Sequence, residues 1–223
     1  MTPSGPTPGA PGADDLAAGA GDLAAELERR CRAGDRQALA LCFESHRERL
    51  LRIVHFRIDR RLSRRIAAED VLQEAYLAAS QRLEYFAREF EGPVFLWLRM
   101  VLCQTLTDTH RRHLGAARRD IRCERAAQPL HASRTANSIA DALFGVASSP
   151  SGAVVRGELR GLVHRAIETM EPLDQEVLAL RHFEELSNSE VAAVLHIGQK
   201  AASIRYVRAL RRLKPLLEAY SLG

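Results

Sequence analysis

From Asp35 to His113, and again from about Val155 to Tyr220, the apolar residues recur at spacings of three and four, and the alternation of a half-buried strand never persists for a useful length. Such a pattern buries its apolar side chains by packing helix on helix, so the expected fold class is all-α. An apolar content of 46% over 223 residues supports ordinary cores and excludes a wholly disordered chain. No apolar run approaches the ~20 residues of a bilayer span, and the N-terminus lacks the basic patch and apolar core of a signal peptide. A cytoplasmic protein with no membrane partner is expected.

Punctuation in the sequence divides the chain into two small helical domains joined by a flexible linker. Residues 1–34 are expected to hold a disordered leader, rich in Pro, Gly and Ala to about Gly21, and the approach to the first helix. The first domain spans 35–114. Asp35 is placed to cap an amphipathic helix carrying Leu39, Phe43, Leu50 and Val54. A second helix, about Ala67 to Leu83, has Val71, Ala75 and Ala79 as its apolar stripe, widened by Leu72, Tyr76 and Leu83. Gly92-Pro93 then interrupts, and a third helix runs to His113 with Val94, Trp97, Leu98 and Val101 on its buried face. Residues 115–153 lose periodicity and end in Ser148-Ser149-Pro150-Ser151-Gly152, which is linker chemistry. Helical patterning resumes in a second domain over 154–220.

That second domain carries the sharper signal. Ser187 stands three residues before Glu190, a capping-box spacing that opens a short helix to Leu195, and His196-Ile197-Gly198 makes a tight turn. The following helix places Ala202, Tyr206, Ala209 and Leu213 on one face and basic residues elsewhere. This is a helix-turn-helix, whose second helix enters the major groove with its first turns at base edges and its later residues at phosphates. Gln199, Lys200 and Ser203 are therefore the candidate base readers, and Arg205, Arg208 and Arg211 the candidate phosphate contacts.

Charge placement agrees with a polyanion partner. The net charge is only +4, but all but two of the 32 basic residues are arginines. Eight of them fall between Arg47 and Arg65, and six basic residues lie between Lys200 and Lys214 with no acid. Arginine's planar fork suits phosphate oxygens, and neutralised phosphates release counterions. The four cysteines, Cys31, Cys42, Cys103 and Cys123, form no Cys-x-x-Cys pair and read as buried small hydrophobes. A metal site of Cys103, His110, His113 and Cys123 misses the usual zinc spacings, so no metal or other cofactor is expected.

The run Ala68-Glu69-Asp70-Val71-Leu72-Gln73-Glu74-Ala75-Tyr76 resembles a signature of the sigma-70 family, in its small extracytoplasmic-function (ECF) group. So do Trp97-Leu98-Arg99 with Asp108 and Arg111-Arg112, and, further on, Met170-Glu171-Pro172-Leu173 with the helix-turn-helix ending Arg208-Ala209-Leu210-Arg211-Arg212-Leu213. The resemblance covers about 35–112 and 155–217. It implies a sigma factor, not an enzyme, whose first domain binds core RNA polymerase at the β′ clamp through Asp70, Gln73 and Glu74. The end of the third helix, with Asp108, Arg111 and Arg112, would hold the minus-ten element and the opened strand. The second domain would read the minus-thirty-five element beside the β flap. Promoter DNA and core polymerase are the implied partners, and an anti-sigma factor is left open. Gln104 stands where the family commonly has Asn, Cys103 where Arg is frequent, and His196 and Gly198 where Gly and Ser are usual. The alternative is a stand-alone helix-turn-helix regulator acting on a palindromic operator.

Overall fold

A computed structural model describes residues 13–59, 61–114, 139 and 153–221, with side chains described for 22–59, 61–113, 139 and 161–215. The leader before Ala13, Cys123 and the linker apart from Ile139 lie outside the described residues. Helices are α1 (Ala13–Arg32), α2 (Arg36–Ser45), α3 (Arg47–Arg57), α4 (Ala68–Gln81), α5 (Leu83–Glu89) and α6 (Val94–Leu114). Then come α7 (Ala153–Glu168), α8 (Pro172–Leu178), a π-helical turn (Ala179–Phe183), α9 (Asn188–Leu195) and α10 (Gln199–Ser221). The fold is all-α, and the described residues contain no strand.

Local sequence accounts for most boundaries. The Asp35 carboxylate accepts from the N–H groups of Gln37 (2.8 Å) and Ala38 (3.2 Å), the expected cap of α2. An ion pair with Arg30 and these caps hold its carboxyl below the ordinary aspartate range. Gly92 takes φ 145°, a region open to glycine, and the chain re-enters a helix after Pro93. Trp97, expected in the core, is fully buried and stacks on Phe86 with ring centroids 4.7 Å apart.

Four expectations need correction. Part of the leader region is helix α1, although Gly19 and Gly21 weaken its propensity. Tertiary contacts hold its C-terminal end: Leu27 and Cys31 are buried, and Arg32 donates to the carbonyls of Phe90 and Gly92. The single helix expected from Asp35 through Val54 is two, because the chain turns at His46 (φ −102°, ψ 3°). The His46 ring packs on Phe95 there, and the Ser45 hydroxyl donates to the Cys42 carbonyl. The second expected helix stops at Gln81, and Leu83 starts a separate helix, α5, that buries Leu83 and Phe86.

The fourth difference is the largest. The apolar core does not divide at the linker. Val177, Leu180, Leu186, Val191, Ala192 and Ala202 join one continuous cluster with residues of α1–α6. In return Phe56 of α3 enters a second cluster with Val163, Ile167, Met170, Ala209, Leu213 and the linker's Ile139. Phe56 and Phe183 stack nearly parallel, centroids 4.8 Å apart. Polar contacts follow the same seam. Arginines of α3 and α6 face glutamates of α8, α9 and the intervening turn: Arg49 with Glu190 (3.3 Å), Arg52 with Glu185 (2.9 Å) and Arg57 with Glu176 (2.5 Å). At the centre the Glu184 carboxylate, fully buried, accepts from Arg99 Nε (2.6 Å) and from Arg57.

Candidate nucleic-acid interface

Helices α9 and α10 form the helix-turn-helix expected from the sequence. Both halves of the capping box exist: the Glu190 N–H donates to Ser187 Oγ (3.2 Å) and the Ser187 N–H to Glu190 Oε2 (2.7 Å). His196 ends α9 in the left-handed conformation (φ 52°, ψ 43°), and the Ile197 N–H reaches back to the Ala192 carbonyl (3.0 Å). At this corner glycine is the low-strain residue, which explains why its replacement by His196 stood out. Ala202, Ala209 and Leu213 are buried and Tyr206 half-buried, so α10 presents its other face outward.

On that outward face Gln199, Lys200 and Ser203 are exposed in the first turns of α10. Lys200 makes no ion pair among the described residues. Ser203 Oγ donates to Asn188 Oδ1 (3.2 Å), and Asn188 Nδ2 donates to the Gln199 carbonyl (2.9 Å). Asn188 thus ties the start of α9 to the start of α10, a role that sequence spacing did not reveal.

The three arginines grouped as phosphate contacts have unlike surroundings. Arg205 Nη1 binds Glu171 (2.8 Å) and Asp174 (2.7 Å), and Arg208 binds Asp174 through Nε (2.6 Å) and Nη2 (2.8 Å). These guanidiniums anchor α10 to the start of α8 and are not open cations. Arg211 alone of the three is exposed with no ion pair among the described residues. Burial would push the Asp174 carboxyl up, but hydrogen bonds from Arg208 and Arg205 outweigh it and hold the group below its ordinary value. Hydrogen bonding from Arg205 likewise lowers Glu171. The available hint was Pro172: it sits in the first turn of α8, where nearby acids complement the helix dipole.

On α4, Asp70, Gln73 and Glu74 are exposed while Val71 and Ala75 are buried on the opposite side, as a three–four spacing requires. Gln73 borders an open groove of about 380 Å³ with Phe43, Glu44, Arg47, Glu69, Leu72, Tyr76 and the exposed Leu77. At the end of α6, Asp108, Arg111 and Arg112 are exposed. Asp108 and Arg111 line a second open groove of about 480 Å³ with Arg82, Met100, Cys103, Gln104 and Thr107. Gln104, at the position of departure from the family, accepts from Arg82. Arg112 pairs with Glu74, which joins two expected sites on one surface, and that hydrogen bond raises its pKa. Within the weighed metal set, His110 Nε2 accepts the Asp59 N–H (3.0 Å), and burial raises the Cys103 thiol. Cys31 and Cys42 are buried with sulfurs 3.5 Å apart.

The α9–α10 geometry, with a basic helix presented end-first from a buried scaffold, defines a helix-turn-helix protein of the DNA-reading class. Residues 160–213, which contain it, match the model for sigma-70, region 4. The chain is 25% identical over 193 residues to the ECF RNA polymerase sigma factor BldN of Streptomyces coelicolor, spanning 86% of this chain and 65% of that one. It is 27% identical over 201 residues to the RNA polymerase sigma-H factor of Pseudomonas aeruginosa, spanning 86% and 94% respectively. A solved structure of CnrH in complex with the cytosolic domain of CnrY shares the fold: TM-score 0.50 and 20% identity over 89% of this chain and 99% of that one. The chain thus carries a sigma-70 region 4 module over residues 160–213 and is similar over most of its length to ECF RNA polymerase sigma factors. These likenesses support sigma factor function over a stand-alone helix-turn-helix regulator. Among the described residues no helix is long and apolar enough to cross a membrane.

Proposed function

We propose that the exposed face of α4 docks core RNA polymerase at its β′ clamp, that the end of α6 holds the minus-ten element, and that α10 reads the minus-thirty-five element beside the β flap. The chain itself supplies no chemistry; the polymerase makes the phosphodiester bond. The observation that carries this is the exposure of Gln199, Lys200 and Ser203 at the leading end of a helix whose other face is packed. Lys200 and Gln199 reach base edges, Arg211 meets phosphate, and Arg205 and Arg208 hold the reading helix at its angle.

Two weak readers on one enzyme cooperate through effective concentration, so neither needs tight affinity for free DNA. Opening follows if the α6 end binds the separated strand better than duplex, because an equilibrium shifts only by differential affinity. Arg111 and Arg112 supply the charge for that strand. An anti-sigma factor would act by covering the α4 or α10 face.

The test is a pull-down of core polymerase by the full chain and by Asp70→Lys/Glu74→Lys. At least a ten-fold loss of affinity with unchanged circular dichroism is expected. Unaltered binding would remove the clamp assignment.

A further inference from the structure

The start of α10 carries a short polar chain in which every donor and acceptor is fixed by chemistry. Asn188, half-buried at the start of α9, places Nδ2 2.9 Å from the Gln199 carbonyl oxygen and Oδ1 3.2 Å from Ser203 Oγ. A backbone carbonyl only accepts, so the amide nitrogen is the atom turned to Gln199. The amide oxygen then faces Ser203, and it cannot donate. A serine hydroxyl has one proton and two lone pairs, so the Ser203 proton is committed to Asn188. What the exposed Ser203 offers to solvent is therefore acceptor only.

Holding α9 against α10 does not require this chain. Buried Val191, Ala192 and Ala202 already share one apolar cluster, and the Ile197 N–H closes the corner on the Ala192 carbonyl. Its effect falls on the outward face, because Gln199 and Ser203, four residues apart, lie on the same side of the helix. In the major groove adenine N6 and cytosine N4 are donors, whereas thymine O4 and guanine O6 are acceptors. A free hydroxyl would rotate to suit either class. One whose proton is held matches the amines and opposes the carbonyls.

We propose that Asn188 is a positioning residue for sequence reading: by holding the Ser203 proton it makes Ser203 select an amino base, adenine or cytosine, over a keto base at one position of the upstream element. The inference rests on the reading above that α10 enters the major groove end-first. Each base pair has one amine, so the choice is which strand carries it at that position. A keto base there leaves two acceptors opposed after water has left, a mismatch on the scale of one net hydrogen bond, roughly three- to ten-fold in affinity. Lys200 carries donors only and suits keto bases, so the first turns of α10 hold two readers of opposite polarity.

The test uses core polymerase with the full chain, as wild type, Asn188→Ala, Ser203→Ala, Ser203→Thr and the double alanine variant. The probe is a pool of promoter duplexes randomised over the upstream element, followed by affinities for single-base variants of the sequence that wild type enriches. The position whose preference Ser203→Ala flattens is the one Ser203 faces. Wild type should favour adenine or cytosine there by three- to ten-fold, and Ser203→Thr should keep that ratio. Asn188→Ala should flatten the same position and no other, and should change nothing further in the Ser203→Ala background. Should Asn188→Ala lose its helical circular dichroism, Asn188→Ser, favoured at helix starts and one bond shorter, repeats the measurement. A keto preference at that position, or a preference that survives removal of Asn188, overturns the proposal. So does an even loss over all sequences that persists in the Ser203→Ala background, which would make Asn188 a strut only. If wild type enriches no upstream sequence, the end-first reading of α10 fails and the proposal with it.

Discussion

Replacing Asp174 by Asn removes a charge from the anchor of the reading helix while keeping its shape. The side chain is only 6% exposed and accepts three hydrogen bonds of 2.6–2.8 Å from Arg205 and Arg208. Breaking a fully buried pair costs about 3–5 kcal/mol. Here Arg205 and Arg208 are 27% and 52% exposed and retain Glu171, so rehydration reduces the expected cost to about 2 kcal/mol. For a chain of this size that lowers the thermal midpoint by about 4–8 °C at pH 7. The pH dependence gives the sharper check. Asp174 has a folded pKa below its unfolded value near 3.9, so its stabilisation is complete above that value and lost as pH falls through the folded pKa. Wild type and Asp174→Asn should therefore converge as pH falls below about 4. Thermal unfolding followed by circular dichroism measures both. A midpoint unchanged at pH 7, or a gap as wide at pH 3 as at pH 6, would refute the anchor.

Two further outcomes follow from the α9–α10 geometry. Lys200→Ala should change which upstream promoter sequences are used, whereas Arg211→Ala should weaken all of them and lower the salt slope by about one, measured by promoter binding at several salt concentrations. Equal, sequence-independent losses would mean that α10 does not lie end-first in the groove. His196→Gly should raise stability by roughly 0.5–1 kcal/mol, because glycine takes the left-handed corner without strain and loses part of that gain to its freer unfolded chain. A destabilised variant in urea titration would show that the His196 side chain contributes more than the strain removes.

Helix identity and the reading module were legible without coordinates because their causes are local. Ser187 and Glu190 lie within one helical turn, Asp35 caps the residues that follow it, and Ala202, Ala209 and Leu213 share a face by the 3.6-residue period alone. Family likeness in the α4 run and in 160–213 lay in short stretches for the same reason. What local spacing cannot carry is the partner of a long charged side chain. The arginines between Arg47 and Arg65 read as a polyanion surface, yet Arg49, Arg52 and Arg57 meet glutamates more than a hundred residues away, a pairing set only when α3 packs on α8 and α9. Arg205, Arg208 and Arg211 looked alike in a basic helix, and only the position of Asp174 in α8 made two of them anchors and left the third exposed. The break at His46 and the helical leader were decided likewise by contacts with Phe95, Phe90 and Gly92 from elsewhere in the chain. The sequence by itself determined an all-α chain with a helix-turn-helix, because helix period and caps act over a few residues. Tertiary structure decided which charges are spent inside the molecule and which face outward, because burial and pairing depend on what the fold brings together.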